Sequence, residues 1–425
     1  MLSTVRFSHP AREVILGVFT RRRLAGLVVA AGLVGGLIGA AYLFVLELVS
    51  ERLLPEHWSA AGHLGVMIVV GVVVTGLIRL LGPPSDVELL VDNIHVSGGA
   101  EGVRSLRSLI PVSLICVGAG GPLGPEAPLV TATGTMASWM GGRAGLDREP
   151  LRVLSITGMA AGFTVLFGAP LGAAVFALEI LHRRGLEYYE ALLPASVGSL
   201  SGYAVSIVLS GAGLEPIWSF PSPERLVSGD LAIAVAAGVV GALIGYLFTY
   251  LTVAMRRLAA WVAPGARPVV GAVVLSGLAA LSPYALTNGE VQMQHLSATT
   301  VTVGALLVGA AAKLVASAVA MATGWRGGFI IPLFFVGFCL GRALDGHLPF
   351  GNSWVLVAAL MVAANVAVTK TPIGSTLVVT EMAGMVLLPT VLIAAIVALL
   401  LSSPVSLIES QQRRFDPSKP GEGDT

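Results

Sequence analysis

The stretch GAGGPLGPEAPLV, residues 118–130, sets one carboxylate, Glu126, between Pro125 and Pro128, after a glycine-rich run and before an uncharged segment. That pattern predicts a helix broken at its start. Proline in a first helical turn loses no hydrogen bond, and glycine permits close backbone approach. The first N–H groups of such a helix have no intrahelical partners and carry the positive end of the helix dipole, about half a charge. Several of them aimed at one buried place make an anion site without a fixed lysine. A site with no full positive charge also releases its anion, as conduction requires. Two further breaks share the form. In HVSGGAEGV (95–103) the Ser97 hydroxyl stands beside the backbone N–H groups of Gly98 and Gly99. In GGFIIP (327–332) glycines lead through a proline into an apolar segment.

Beside such a site a carboxylate has chemistry of its own. Ionised, Glu126 is a tethered competitor for the anion; protonated, it leaves. The plainer reading is a helix cap, since acids are favoured near N-termini. Ser97 has the plainer reading of a turn residue, and Glu179 and Glu381 that of interfacial or structural carboxylates. Cys116, Cys339 and the seven histidines show no metal-ligand spacing, so no metal or cofactor is expected.

The elements that must position these residues are membrane helices. Only 12% of the 425 residues are charged and 55% are hydrophobic, with a mean hydropathy of +0.86; soluble domains carry about 25% charged residues. Residues 231–255 and 382–408 contain no charge at all, and about 20 helical residues cross a bilayer core. A charged side chain there costs about 2.5–3.5 kcal/mol on insertion scales, which favours a functional use for Glu126. The net charge of +1 argues against a nucleic-acid partner. Arg21, Arg22 and Arg23 precede the first span and Arg413 and Arg414 follow the last. The positive-inside bias then places both termini in the cytoplasm, with an even number of full crossings.

Glycine and proline interrupt the apolar segments often, as discontinuous helices require. The expected division is a cytoplasmic segment over 1–23, a first membrane half over 24–225, a second over 226–411 and a cytoplasmic tail over 412–425, with no room for a regulatory domain. The halves rhyme. FGAPLGAAVFALEIL (167–181) and TKTPIGSTLVVTEMA (369–383) each carry a proline, an aliphatic residue, a glycine, and a glutamate nine positions after the proline. Each follows a glycine-rich stretch and an apolar helix. Matching interruptions in two halves point to a transporter built from repeats, with its site at their interface.

At these residues the chain resembles the CLC family of chloride channels and proton-coupled chloride transporters. GPEAP (124–128) is similar to the family's gating motif, VSGGAE (96–101) to its serine loop, and GFIIP (328–332) to its second-half counterpart; the two proline–glutamate helices also match. The resemblance implies an all-α polytopic membrane protein, an inverted repeat of two halves with many short, tilted and discontinuous helices. It also implies a homodimer in the lipid bilayer with one pore per subunit. Glu126 would be the gating glutamate, Ser97 and Gly98 would bind the anion, and the backbone around Phe329 and Ile330 would add donors.

The sequence also departs from the family pattern. Pro125 and Ala127 flank the glutamate in place of a basic residue and a glycine, and Ser406 stands where the family has a pore tyrosine. The internal glutamate that passes protons in family exchangers falls on Ile180, leaving the adjacent Glu179 as relay candidate. The expected function is movement of chloride or similar small anions, as a channel or with protons as coupled partner. Fluoride or other-anion antiport is the alternative, against which the retained Ser97 argues. An intramembrane enzyme finds no H-E-x-x-H or G-x-S-x-G motif.

Overall fold

Hydrocarbon offers a backbone no hydrogen-bond partners, so chain that crosses it closes its own bonds as helix. The computed structural model follows that rule. It describes residues 22–53, 60–85, 87–99, 102–183, 187–211, 221, 223–345 and 351–411. The expected cytoplasmic tail, nearly all of the N-terminal segment, and Ala100 and Glu101 of the serine loop lie outside the described residues.

Among the described residues there are sixteen α-helices and no strand, eight helices on either side of residue 226. The first eight are α1 (Arg22–Leu53), α2 (Ala60–Leu81), α3 (Val87–Ser97), α4 (Leu106–Gly118), α5 (Glu126–Arg143), α6 (Arg148–Phe167), α7 (Pro170–Glu179) and α8 (Leu192–Ser210). The second eight are α9 (Ser228–Ala259), α10 (Arg267–Leu281), α11 (Glu290–Ala298), α12 (Val303–Ala322), α13 (Ile330–Ala343), α14 (Ser353–Thr369), α15 (Pro372–Ala383) and α16 (Leu388–Ser402).

The two sets repeat one plan. Both α1 and α9 are 32 residues long; α1 packs on α8 as α9 packs on α16, and α5 on α6 as α13 on α14. Counterparts also meet across the molecule, α2 against α10 and α7 against α15. Among the described residues eight segments are long and apolar enough to cross a membrane, while α7, α13 and α14 are shorter apolar helices. These short pieces and α6 are buried, whereas α2 and α10 turn valines and leucines outward. The core joins the halves through aromatic rings, with Phe167 of α6 edge-on to Phe334 of α13 at 6.4 Å.

The break after the sixth helix of each set shows how local chemistry serves the repeat. Gly168 closes α6 in the left-handed region at φ 64°, and Pro170 opens α7. In the second half Lys370 takes that conformation at φ 61°, and Pro372 opens α15. A side chain there costs roughly 1–2 kcal/mol. Lys370 offsets it by donating through Nζ to Ala367 O at 2.6 Å and Ser402 O at 2.7 Å.

Candidate anion site

Helices α5 and α13 begin where the sequence predicts broken starts, and their leading loops pair. Gly124 N–H donates to Gly328 O at 2.8 Å and Gly328 N–H donates back to Gly124 O at 2.6 Å. This bridge brings two helix N-termini, one from each half, to the same buried place. Glu126 is the first residue of α5 and is 1% exposed. Its side chain reaches the other half: Oε1 accepts the N–H of Ile331, in the first turn of α13, at 2.6 Å. The other oxygen, Oε2, is buried without a hydrogen-bond partner among the described residues. Both bridge glycines are required by this contact, because a Cβ on Gly124 or Gly328 would overlap the Glu126 carboxylate. A helix N-terminus that suits an anion thus holds a tethered one.

A cavity of about 90 Å³ lies against the residues that follow Glu126 in the first turn of α5, well above the roughly 10–15 Å³ that one water needs. Ala127, Pro128 and Thr131 line it from α5, Phe329 from the turn before α13, and Leu407 and Ile408 from the segment after α16. Ser85, just before α3, also lines it; its hydroxyl is buried and has no hydrogen-bond partner among the described residues. A buried polar group without a partner costs free energy, so its place on the cavity wall suits it to a polar occupant.

Ser97 and Gly98 lie elsewhere. The sequence suggests that HVSGGAEGV opens a helix, but the structure closes one there. Ser97 is the last residue of α3, is exposed, and its Oγ lies 2.7 Å from Asn93 O and 2.9 Å from Gly99 O. Gly98 takes φ +77° and packs on the backbone of Arg148, the left-handed glycine that follows many helix C-termini. Two arginines of α6 bind the carbonyls left over: Arg148 Nη2 donates to His95 O at 2.8 Å and Arg152 Nε to Ile94 O at 3.1 Å. A helix end that presents carbonyls attracts cations. The serine that faces the cavity is Ser85, at the other end of α3. Its signal in the sequence is SDVE (85–88), the S-x-x-E spacing of a helix start, which marks the beginning of α3 but says nothing of a cavity.

Phe329 is the N-cap of α13 and Ile330 its first residue, so both stand at the bridged N-termini with Glu126. Ser406 spends its hydroxyl on Ile408 O at 2.8 Å, closing a turn that presents Leu407 and Ile408 to the cavity. Glu179 is also committed. Its carboxylate accepts the N–H of Ile373 at 3.2 Å and of Gly374 at 2.7 Å, in the first turn of α15. The arrangement is reciprocal, since Glu381 at the far end of α15 accepts the N–H of Gly172, in the first turn of α7, at 3.1 Å. Ile180 is buried, and its carbonyl accepts from Gln411 Nε2 at 3.0 Å.

The family model described as "Voltage gated chloride channel" matches residues 70–403. A chloride/fluoride channel protein of Pseudomonas syringae pv. tomato is 28% identical over 406 residues, covering 92% of this chain and 85% of the relative. The voltage-gated ClC-type chloride channel ClcB of Salmonella typhimurium is 29% identical over 332 residues, 75% of this chain and 77% of the relative. The fold is that of a solved CLC-type fluoride/proton antiporter, with a TM-score of 0.78 at 24% identity over 92% of this chain and 98% of that one. It is equally that of a slow cyanobacterial Cl⁻/H⁺ antiporter, with a TM-score of 0.79 at 18% identity over 90% and 94%. Sequence motifs, two-half architecture and family match agree: the chain is a multi-pass membrane protein that belongs to the voltage gated chloride channel (CLC) family.

Proposed function

We propose that the chain conducts a small halide, chloride or fluoride, through the cavity beside Glu126, and that the Glu126 carboxylate gates it by competing for the α13 N-terminus. The observation that carries this reading is the buried Oε1 accepting Ile331 N–H at 2.6 Å while Oε2 has no partner. Ionised, the side chain is held by a charge-assisted bond and the positive end of the α13 dipole. Protonation removes the charge and much of that hold, so anion flux rises as pH falls. Ser85 supplies a hydroxyl along the path in place of hydration. The expectation against fluoride rests on Ser97, which does not line the cavity, so it carries no weight.

Movement is uncoupled from protons in this reading. Ile180 carries no proton, and both oxygens of Glu179 hold the start of α15. Orientation with the N-terminus in the cytoplasm is supported by charge. Helix α1 starts with arginines, and α2 returns to that side with Arg79, which lies against Gly265 in the connection between the end of α9, with Arg256 and Arg257, and the start of α10 at Arg267. We keep the homodimer in the cell membrane as the working assembly, to be tested by cross-linking in native membranes.

Halide efflux from proteoliposomes tests the function. Wild-type flux should rise on acidification, and Glu126→Gln, which imitates the protonated side chain, should give high flux at every pH. A Glu126→Gln protein with wild-type pH dependence would refute the gate. Uphill proton movement driven by a chloride or fluoride gradient would refute uncoupled transport.

A further inference from the structure

The cavity carries charge that the gate does not use. Glu88, in the first turn of α3, and Arg256, in the last turn of α9, both line it, as does Arg326. The Arg256 guanidinium lies 3.8 Å from the Glu88 carboxylate, with side chains 45% and 36% exposed. We infer that Arg256 recruits the permeant anion at the cavity mouth, and that Glu88 competes with that anion for it.

Three observations lead there. The contact is longer than the roughly 2.7–2.9 Å of a charge-assisted hydrogen bond, so the guanidinium is approached but not gripped. A pair this exposed contributes about 0–1 kcal/mol to stability, which does not account for two charges in a cavity. The pair also differs from others in the chain: Arg152–Glu149 and Arg342–Asp345 join neighbours on one helix turn, whereas Glu88 and Arg256 come from opposite halves and meet only across the cavity.

The physics of a conduction path gives the pair its use. Apart from its arginines, the donor groups the cavity offers, such as the Ser85 hydroxyl, bear no full charge. A guanidinium at the mouth raises the local anion concentration and the entry rate. Unopposed, and with Arg326 also lining the cavity, it would also hold the anion and slow its exit. Glu88 offsets that field, and an arriving anion displaces the carboxylate's interaction rather than adding to it. The pair therefore sets the concentration at which transport saturates, while Glu126 sets its pH dependence.

This inference rests on the proposed transport function, and the experiment separates the two. Halide binding to purified protein is measured by calorimetry, and half-saturation of flux in proteoliposomes, at low and high ionic strength. Arg256→Gln should raise the half-saturating concentration about two- to fivefold, the range a partly exposed charge supplies, and less at high salt. Arg256→Lys should retain most of the wild-type value. Glu88→Gln should lower half-saturation and slow maximal flux, and that effect should vanish in the double variant with Arg256→Gln. Unchanged binding and half-saturation in Arg256→Gln, with wild-type flux intact, overturns the recruiting role alone. A Glu88→Gln effect that persists without Arg256 overturns the competition and returns Glu88 to the role of a helix-start acid. A wild-type protein that neither binds nor moves halide overturns this inference together with the proposed function.

Discussion

Replacing Glu179 separates a relay from a clamp. Its carboxylate accepts two N–H groups of α15, and hydrogen bonds to a charged group contribute about 1.5–3 kcal/mol each. Glu179→Ala leaves both donors unpaired in a buried place and should cost about 3–5 kcal/mol, the range for breaking a buried charged contact. Glu179→Gln keeps one acceptor and should cost about half as much. Glu381→Ala removes one bond, to Gly172, and should match the Gln variant at about 1.5–3 kcal/mol. Gly172 and Glu179 are seven residues apart on α7, so the two clamps lie about 10 Å apart, and their costs should add within about 0.5 kcal/mol. The assay is the thermal unfolding midpoint of purified protein in detergent. With an unfolding entropy of about 2.1 cal/mol/K per residue, a chain of 425 residues shifts by roughly 1 °C per kcal/mol. The alanine variant should melt about 3–5 °C lower. A wild-type midpoint in Glu179→Ala would refute the clamp. So would a Glu179→Gln protein that melts as wild type yet loses a proton coupling the wild type has.

Ser85→Ala should weaken halide binding about tenfold, the loss of one hydrogen bond to a charged group, and should change the chloride-to-fluoride preference. Its hydroxyl has no protein partner to strand, so the melting midpoint should hold; unchanged selectivity in a well-folded variant counts against Ser85. Gly328→Ala should imitate Glu126→Gln, with flux raised at neutral pH and its pH dependence flattened, because the new Cβ overlaps the Glu126 carboxylate. Gly328 has no positive φ, so the change acts through space rather than backbone strain, and a gate that stays pH-sensitive in this variant would contradict the contact described.

Much of the fold is written in composition and punctuation. Long uncharged runs had to be helices, and the glycine–proline breaks at 124–128 and 327–332 mark the starts of α5 and α13 within a residue or two. The serine loop misleads for a physical reason. Ser-Gly-Gly suits a helix start, where serine caps, and equally a helix end, where glycine takes positive φ. Which one forms depends on distant partners, here Arg148 and Arg152 on the carbonyls of α3. Ser85 stayed hidden because its role comes from lining a cavity with residues more than 300 positions away, a relation no local spacing records. The Glu88–Arg256 pair, 168 positions apart in sequence, is invisible for the same reason.

The acids themselves show what the repeat is for. Three carboxylates sit at helix N-termini of the opposite half: Glu126 on α13, Glu179 on α15 and Glu381 on α7. The last two are reciprocal, so α7 and α15 hold each other at both ends, and neither acid can leave without stranding the partner's N–H groups. Glu126 has no counterpart. Ile330, the first residue of α13, stands where symmetry would put a second acid facing α5. The start of α5 therefore carries no carboxylate from α13, and its first turn, at Ala127 and Pro128, meets the cavity instead. Where the repeat is symmetric, carboxylates lock the halves together. Where the symmetry is broken, one helix start is held by a single carboxylate from the other half; in the proposed function protonation releases that carboxylate and the other helix start is left to the anion.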